Sequence, residues 1–293
     1  MSGLFAIFAG VIQGLLEVFP VSSFGHIIVL ASFMDIEIVG GVLFESMLHL
    51  GSMVAIILYF KKDFKKIGEE FIGLCLDIFN NIMKFIKNKR TGSHYAYNDL
   101  TSGTYRRSTI LFLISMLPTM ILGFTARRIV AYCSASTVMT GIGFLLTAVF
   151  LIVIDFSKVG GKKTPQLVSN ADALWIGIMQ GISVFPGVSR LGLTVGTGLL
   201  CGFNLKFAFK YSYMLSVPAI FGAVLSQLVH FGGADMDFGI ILFILVGTIV
   251  AGITTYTVIR SFMRIVQNVK LRIFAFYCFI IGLFVLFRHY GAL

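Results

Sequence analysis

Four polar side chains that can do chemistry together stand in one apolar run, "GLLEVFPVSSFGH" at 14–26: Glu17, Ser22, Ser23 and His26. A hydroxyl near an imidazole and a carboxylate is the set that activates a nucleophile. Three schemes fit these residue types. Ser23 attacks with a base at its side, His26 attacks or protonates a leaving oxygen, or water is the nucleophile; the spacing does not choose among them. Gln13 precedes Glu17 by four residues, so both project from one face of a short helix. An amide oxygen and a carboxylate so placed can hold a hard divalent cation that bridges to phosphate oxygens. Alternatively, Glu17 orients or deprotonates its neighbour.

A second polar cluster lies far downstream, in "VFPGVSRLGLT" at 184–194. An arginine in so apolar a stretch costs roughly 2.5–3.5 kcal/mol at the centre of a membrane span. Its planar fork suits phosphate. Pro186 and Gly187 break the chain just ahead of a new helix, whose free N–H groups and positive end would face an anion. Ser189 and Thr194 can add hydroxyl donors, and Ser22 can do so from the first cluster. Arg190 therefore reads as an anion clamp that meets Glu17, Ser22, Ser23 and His26 from another part of the chain.

The elements that must position these residues are helices in a bilayer. Of 293 residues, 57% are hydrophobic and 12% charged, against about 25% charged in a soluble domain. Several apolar runs approach the roughly 20 residues that a spanning helix needs. The expected fold is an all-α polytopic membrane protein, one integral domain over 1–293. About six spanning helices are expected, near 41–60, 108–126, 136–155, 207–230, 238–259 and 273–287. The segment 61–87 repeats its apolar residues every three or four positions and reads as an amphipathic interfacial helix. A polar loop follows at 88–107. Ten Lys and Arg fall between 61 and 107, which assigns this segment to the cytoplasm. The connector "FGGADMD" has no basic residue and should lie outside.

Two pieces, 3–34 and 171–203, are each a pair of apolar segments too short to span, joined at a proline break. They read as re-entrant hairpins, tolerated at membrane depth only inside protein or beside a wet cavity. Gln13-Gly14 matches Gln180-Gly181, Phe19-Pro20 matches Phe185-Pro186, and Ser22 and Gly25 match Ser189 and Gly192. Related hairpins inserted from opposite sides are the signature of an inverted-topology repeat with its site near the midplane.

The remaining candidates are weaker. His49, His94, His230 and His289 lack polar company and read as structural or interfacial. Glu45 opens an apolar span and can face the same cavity, while Asp155 and Asp172 read as helix-end residues. Asp35 and Glu37 follow the first hairpin. Cys75, Cys133, Cys201 and Cys278 are too scattered for a zinc site and read as thiols in apolar helices. The amino terminus lacks the positive region of a cleavable signal and belongs to the mature fold on this reading. No basic stripe interleaves with aromatic residues, so nucleic acid is not an expected partner.

With "PVSSFGH" at 20–26, Gln13 and Glu17 ahead of it, "PGVSRLGLT" at 186–194 and "FESMLHLGSMVAIILYFKKDF" at 44–64, the chain resembles the undecaprenyl-diphosphate phosphatase family, the bacitracin-resistance phosphatases of cell-wall lipid recycling. Gln13 stands where many members have Glu, Leu191 where serine is usual, and Phe24 where a small residue is common. The resemblance implies removal of the terminal phosphate of a C55 polyprenyl diphosphate. It implies a divalent cation (Mg2+ or Ca2+) with no organic cofactor, a bacterial cytoplasmic membrane location, a site facing the outer side and a homodimer. Carried onto this chain, Gln13 and Glu17 would bind metal or organise the nucleophile. Ser23 or His26 would be nucleophile or acid–base. Arg190, with Ser22, Gly187, Ser189 and Thr194, would hold the diphosphate. The rival reading is a secondary transporter or flippase of a phosphorylated lipid, since broken helices in inverted repeats also build carriers.

Overall fold

A computed structural model describes residues 3–34, 42–157, 160–163, 165–230 and 238–291. Asp35, Glu37, Lys158, the 231–237 connector and the side chain of His230 lie outside the described residues. The described chain is all-helical, with one isolated bridge between Lys163 and Phe203. In order the helices are α1 (Gly3–Leu16), α2 (Ser23–Phe33), α3 (Val42–Tyr59), α4 (Lys61–Thr91), α5 (Thr104–Thr125) and α6 (Arg127–Ser134). They continue with α7 (Thr137–Phe156), α8 (Asn170–Ile182), α9 (Arg190–Leu200), α10 (Leu205–His230), α11 (Phe238–Ile265) and α12 (Leu271–His289).

Five helices (α5, α7, α10, α11 and α12) are long and apolar enough to cross a bilayer, and α3 with α4 makes a sixth if that bent pair is one span. Their outer faces carry Leu117, Ile121, Phe124, Val149, Val153, Ile249 and Ile253, all exposed. Water would not tolerate so continuous an apolar surface, and lipid requires it. The protein is a multi-pass membrane protein.

Several boundaries differ from the sequence reading, and α11 runs on to Ile265 instead of stopping near 259. The polar loop is shorter than 88–107, because α4 runs on to Thr91 and α5 starts at Thr104. The stop is Gly92 in the left-handed region (φ 66°), whose N–H donates to the Asn88 carbonyl, a common glycine helix terminus. The short α6 fills the expected connector between α5 and α7 and has no buried residue.

α4 leaves α3 at a bend of 89°. Its polar stripe binds the following loop and the start of α5: Asn81 and Lys84 bond Asn98, Asn88 bonds Tyr95, and Arg106 of α5 reaches Glu70 and Asp77 at 2.7 Å each. The opposite stripe, with Ile72, Leu76, Phe79, Ile82 and Phe85, stays exposed. This is the amphipathic pattern of the sequence made visible.

α7 packs on α12, α1 and α3 on α11, and α5 on α8. One buried cluster joins Val18, Ile56, Leu111, Leu151, Ile176, Leu191, Phe209, Tyr213 and Ile259. The short pairs α1–α2 and α8–α9 are held within this frame, at 14, 11, 13 and 11 residues each.

Candidate active site

The first break, 17–22, follows α1. Glu17 N–H still donates to the Gln13 carbonyl at 2.9 Å, so Glu17 caps the helix that carries Gln13. Val18 next to it is pinned by the Tyr213 hydroxyl, which donates to its carbonyl at 2.6 Å. Ser22 has φ 64°, making it the single non-glycine residue in the left-handed region among the described residues. Such a conformation costs of order 1–3 kcal/mol and persists where the surroundings impose it. Here it turns the chain sharply so that α2 begins at Ser23, with the Ser22 hydroxyl accepting from Gly25 N–H at 3.4 Å.

The second break is built alike. Ser189 caps α9 and its hydroxyl accepts from Gly192 N–H at 3.0 Å. Its own N–H donates to the Thr147 hydroxyl at 2.9 Å, which in turn donates to the Gly187 carbonyl at 3.0 Å. Gly187 (φ 79°) lies so close to α7 that an added Cβ would be 2.1 Å from the Thr140 carbonyl oxygen. A Cβ on Gly25 would meet the Gly187 backbone at 2.8 Å. The two proline breaks therefore touch, glycine against glycine.

This contact brings Arg190 to Glu17. The Arg190 guanidinium donates to Glu17 Oε1 in an ion pair spanning 173 residues of sequence. The other oxygen, Oε2, accepts from Ser23 Oγ at 2.9 Å and from Gln13 Nε2 at 3.0 Å. The Glu17 side chain is 4% exposed and that of Arg190 is 23% exposed. A carboxylate this enclosed needs its donors, and they are what the sequence supplied: Gln13, Ser23 and Arg190.

One member was missed. His49 of α3 places Nδ1 at 3.1 Å from Glu17 Oε2 and 2.8 Å from Gln13 Nε2. Read as structural or interfacial from sequence, it belongs to this cluster. The available signal was its position four residues after Glu45, on the same face of α3. Glu45 itself is buried, at 8% exposure, and makes no hydrogen bond or ion pair among the described residues. Thr147 and Tyr213, which fix the two breaks, had no sequence signal either.

Other expected members stand apart. His26 does not bond Glu17 or Ser23; its Nδ1 faces the Ser22 carbonyl at 2.7 Å and its Nε2 the Tyr277 hydroxyl at 2.8 Å. The Thr194 hydroxyl donates back to the Arg190 carbonyl at 2.9 Å, and the Ser22 and Ser189 hydroxyls serve as helix caps. Asp155 and Asp172 are helix-end residues that pair with Arg272 and Lys163.

Donors for a cation are few here, and Gln13 turns its Nε2 toward Glu17. Gln13 and Glu17 are adjacent and buried, but no group of three His, Cys, Asp or Glu side chains that could hold a metal ion occurs among the described residues. One carboxylate and one amide suit an ion that brings most of its ligands as phosphate and water, as Mg2+ commonly does.

Residues 6–284 match the family model described as Bacitracin resistance protein BacA. Among similar curated proteins, one named undecaprenyl-diphosphatase from Methanosphaera stadtmanae is 33% identical over 280 residues, covering 96% of this chain and 95% of that protein. Proteins of the same name from Methanobrevibacter smithii and Halothermothrix orenii are each 30% identical over the same shares of the two chains. A match that runs from α1 to α12 takes in both proline breaks and the helices that hold them, so the chain belongs to the BacA bacitracin resistance family.

Proposed function

We propose that this protein hydrolyses undecaprenyl diphosphate to the monophosphate and inorganic phosphate, returning the lipid carrier to cell-wall synthesis and thereby giving bacitracin resistance. Family membership and the shared name of its relatives support the reaction. The single observation that carries the chemistry is the Ser23–Glu17–Arg190 contact, which joins a hydroxyl, a carboxylate and a guanidinium across the two proline breaks.

Ser23 Oγ attacks the terminal phosphorus while Glu17 takes its proton. The bond from that phosphorus to the bridging oxygen breaks, and undecaprenyl monophosphate leaves. Water then cleaves the phosphoserine, releasing phosphate and restoring the hydroxyl. Arg190 exchanges part of its hold on Glu17 for phosphate oxygens, and the first amides of α9, which lack acceptors within the helix, face the same charge. Bound at Gln13 and Glu17, a divalent cation would neutralise diphosphate oxygens. His49 holds Glu17 and Gln13 in register.

The two short helix pairs act as re-entrant hairpins of an inverted repeat, a reading supported by the like caps at Ser22 and Ser189. We place α4 in the headgroup region with its free apolar stripe in the lipid, on the cytoplasmic side of the cytoplasmic membrane. The site then opens toward the outer side. The relatives' family is expected to form a homodimer.

The test is phosphate release from purified protein in detergent given C55 diphosphate, with and without EDTA, beside Ser23→Ala. Metal-dependent release lost in Ser23→Ala supports the reading. Lipid binding without release by folded wild-type protein would replace it with the carrier.

A further inference from the structure

His26 is the one expected catalytic side chain that the Glu17 cluster does not hold, and its own surroundings are built with care. A carbonyl oxygen can only accept, so the 2.7 Å contact with the Ser22 carbonyl places the ring proton on Nδ1. In the neutral ring Nε2 then carries the lone pair, and the Tyr277 hydroxyl at 2.8 Å donates to it. Tyr277 also lies nearly parallel to the imidazole (10°, centroids 5.5 Å apart), while Phe144 meets it edge-on at 4.8 Å. Among the described residues no charged group pairs with the ring. α1 and α2 carry no charged residue besides His26 itself. Asp155 of α7 pairs with Arg272 of α12. Arg288 of α12 bonds the Ser32 carbonyl and covers Phe33, and Glu17 and Arg190 pair with each other.

We propose, on the phosphatase reading above, that Tyr277 is a positioning residue for the hydrolysis: its hydroxyl fixes His26 as the Nδ1–H tautomer, and through the Ser22 carbonyl it fixes the turn that presents Ser23. The chain of contacts is continuous. Tyr277 sets the ring, the ring holds the carbonyl of the left-handed Ser22, and that residue starts the helix whose first side chain donates to Glu17. Nε2 is thereby kept as an acceptor and the ring is held in one orientation.

Tyr277→Phe keeps the stacked ring and removes only the hydroxyl. Two measurements separate the proposal from the reading beneath it. In 15N-histidine NMR of full-length protein in detergent, with His26 assigned by its loss in His26→Gln, the wild-type ring should show Nδ1–H, and Tyr277→Phe should shift Nε2 or mix the tautomers. In kinetics with C55 diphosphate, Tyr277→Phe should lower kcat by roughly 3- to 10-fold, the effect of one hydrogen bond, with KM little changed. It should cause no further loss in a His26→Ala background. An unchanged His26 signal, an unchanged kcat, or an equal loss in the His26→Ala background would each overturn the proposal. Wild-type protein that releases no phosphate but shows the Nδ1–H signal and its shift would refute the phosphatase reading, leaving the Tyr277–His26 bond established.

Discussion

Replacing Arg190 with alanine should harm both stability and turnover, and a second substitution should restore only the first. Glu17 is enclosed, with a side chain 4% exposed, and Arg190 is its guanidinium partner; Gln13 and Ser23 add neutral donors, and His49 Nδ1 lies 3.1 Å away. Breaking a buried ion pair from one side costs about 3–5 kcal/mol, because the remaining charge is stranded. The 23% exposure of Arg190 puts the expected loss near the lower end, about 3 kcal/mol. For a chain of this size that lowers Tm by roughly 6–12 °C. The Glu17→Gln/Arg190→Ala double variant removes the stranded charge and keeps the hydrogen bonds, so its Tm should return to within a few degrees of wild type. Activity should not return, since both the base and the phosphate clamp are gone; Arg190→Ala alone should lose about 10²–10³-fold in kcat/KM. Thermal labelling of Cys278, which is fully buried, reports unfolding, and phosphate release reports turnover. A wild-type Tm for Arg190→Ala would refute the buried pair. Phosphatase activity in the double variant would refute both Glu17 as the base and Arg190 as the phosphate clamp.

His49→Ala removes the contacts to Glu17 and Gln13 and should lower kcat about 10- to 100-fold, the scale of a hydrogen bond to a charged group; a wild-type rate would return His49 to a structural role. Gly187→Ala places a Cβ 2.1 Å from the Thr140 carbonyl oxygen at φ 79°. It should separate α7 from the second break, seen as a lower Tm together with lost activity, whereas Gly222→Ala, with open space around it, should leave both unchanged. The loop after α4 should loosen in acid. Hydrogen bonds from Arg106 and Asn98 hold the Asp77 carboxyl below its usual range, so their contribution is complete above the ordinary aspartate value near 3.9 and fades as pH falls through the depressed one. Hydrogen exchange over 92–103 should therefore quicken only below about pH 4, after correction for intrinsic rates; loosening already at pH 6 would contradict this.

Much of the helical frame was legible because hydropathy and period are local properties. α3 begins and ends within a residue of the expected span, and α4 follows its apolar repeat. The loop boundary was not, because it depends on where Gly92 and Gly103 adopt positive φ. Legible too were Gln13, Glu17, Ser23 and Arg190, since polar groups in apolar helices are costly enough to need a purpose. His26 was found as a residue but misplaced as a neighbour. It lies three positions after Ser23, a spacing that shares a helix face, yet its ring is taken by the Ser22 carbonyl and by Tyr277 of α12, a partner 251 residues away.

By itself the sequence determined that the chain lives in a membrane, that it breaks at two prolines, and that a carboxylate, a hydroxyl and an arginine stand at those breaks. It could not determine which atoms meet. Glu17 and Arg190 are 173 residues apart, and the packing of Gly25 on Gly187, with the core that joins Val18 and Leu191, closes that distance. His49 enters the cluster and His26 turns out of it for the same reason. Composition and period fix which face of a helix is polar, whereas the rotation of one helix against another is set by contacts between residues remote in sequence, and that decides what the polar face touches.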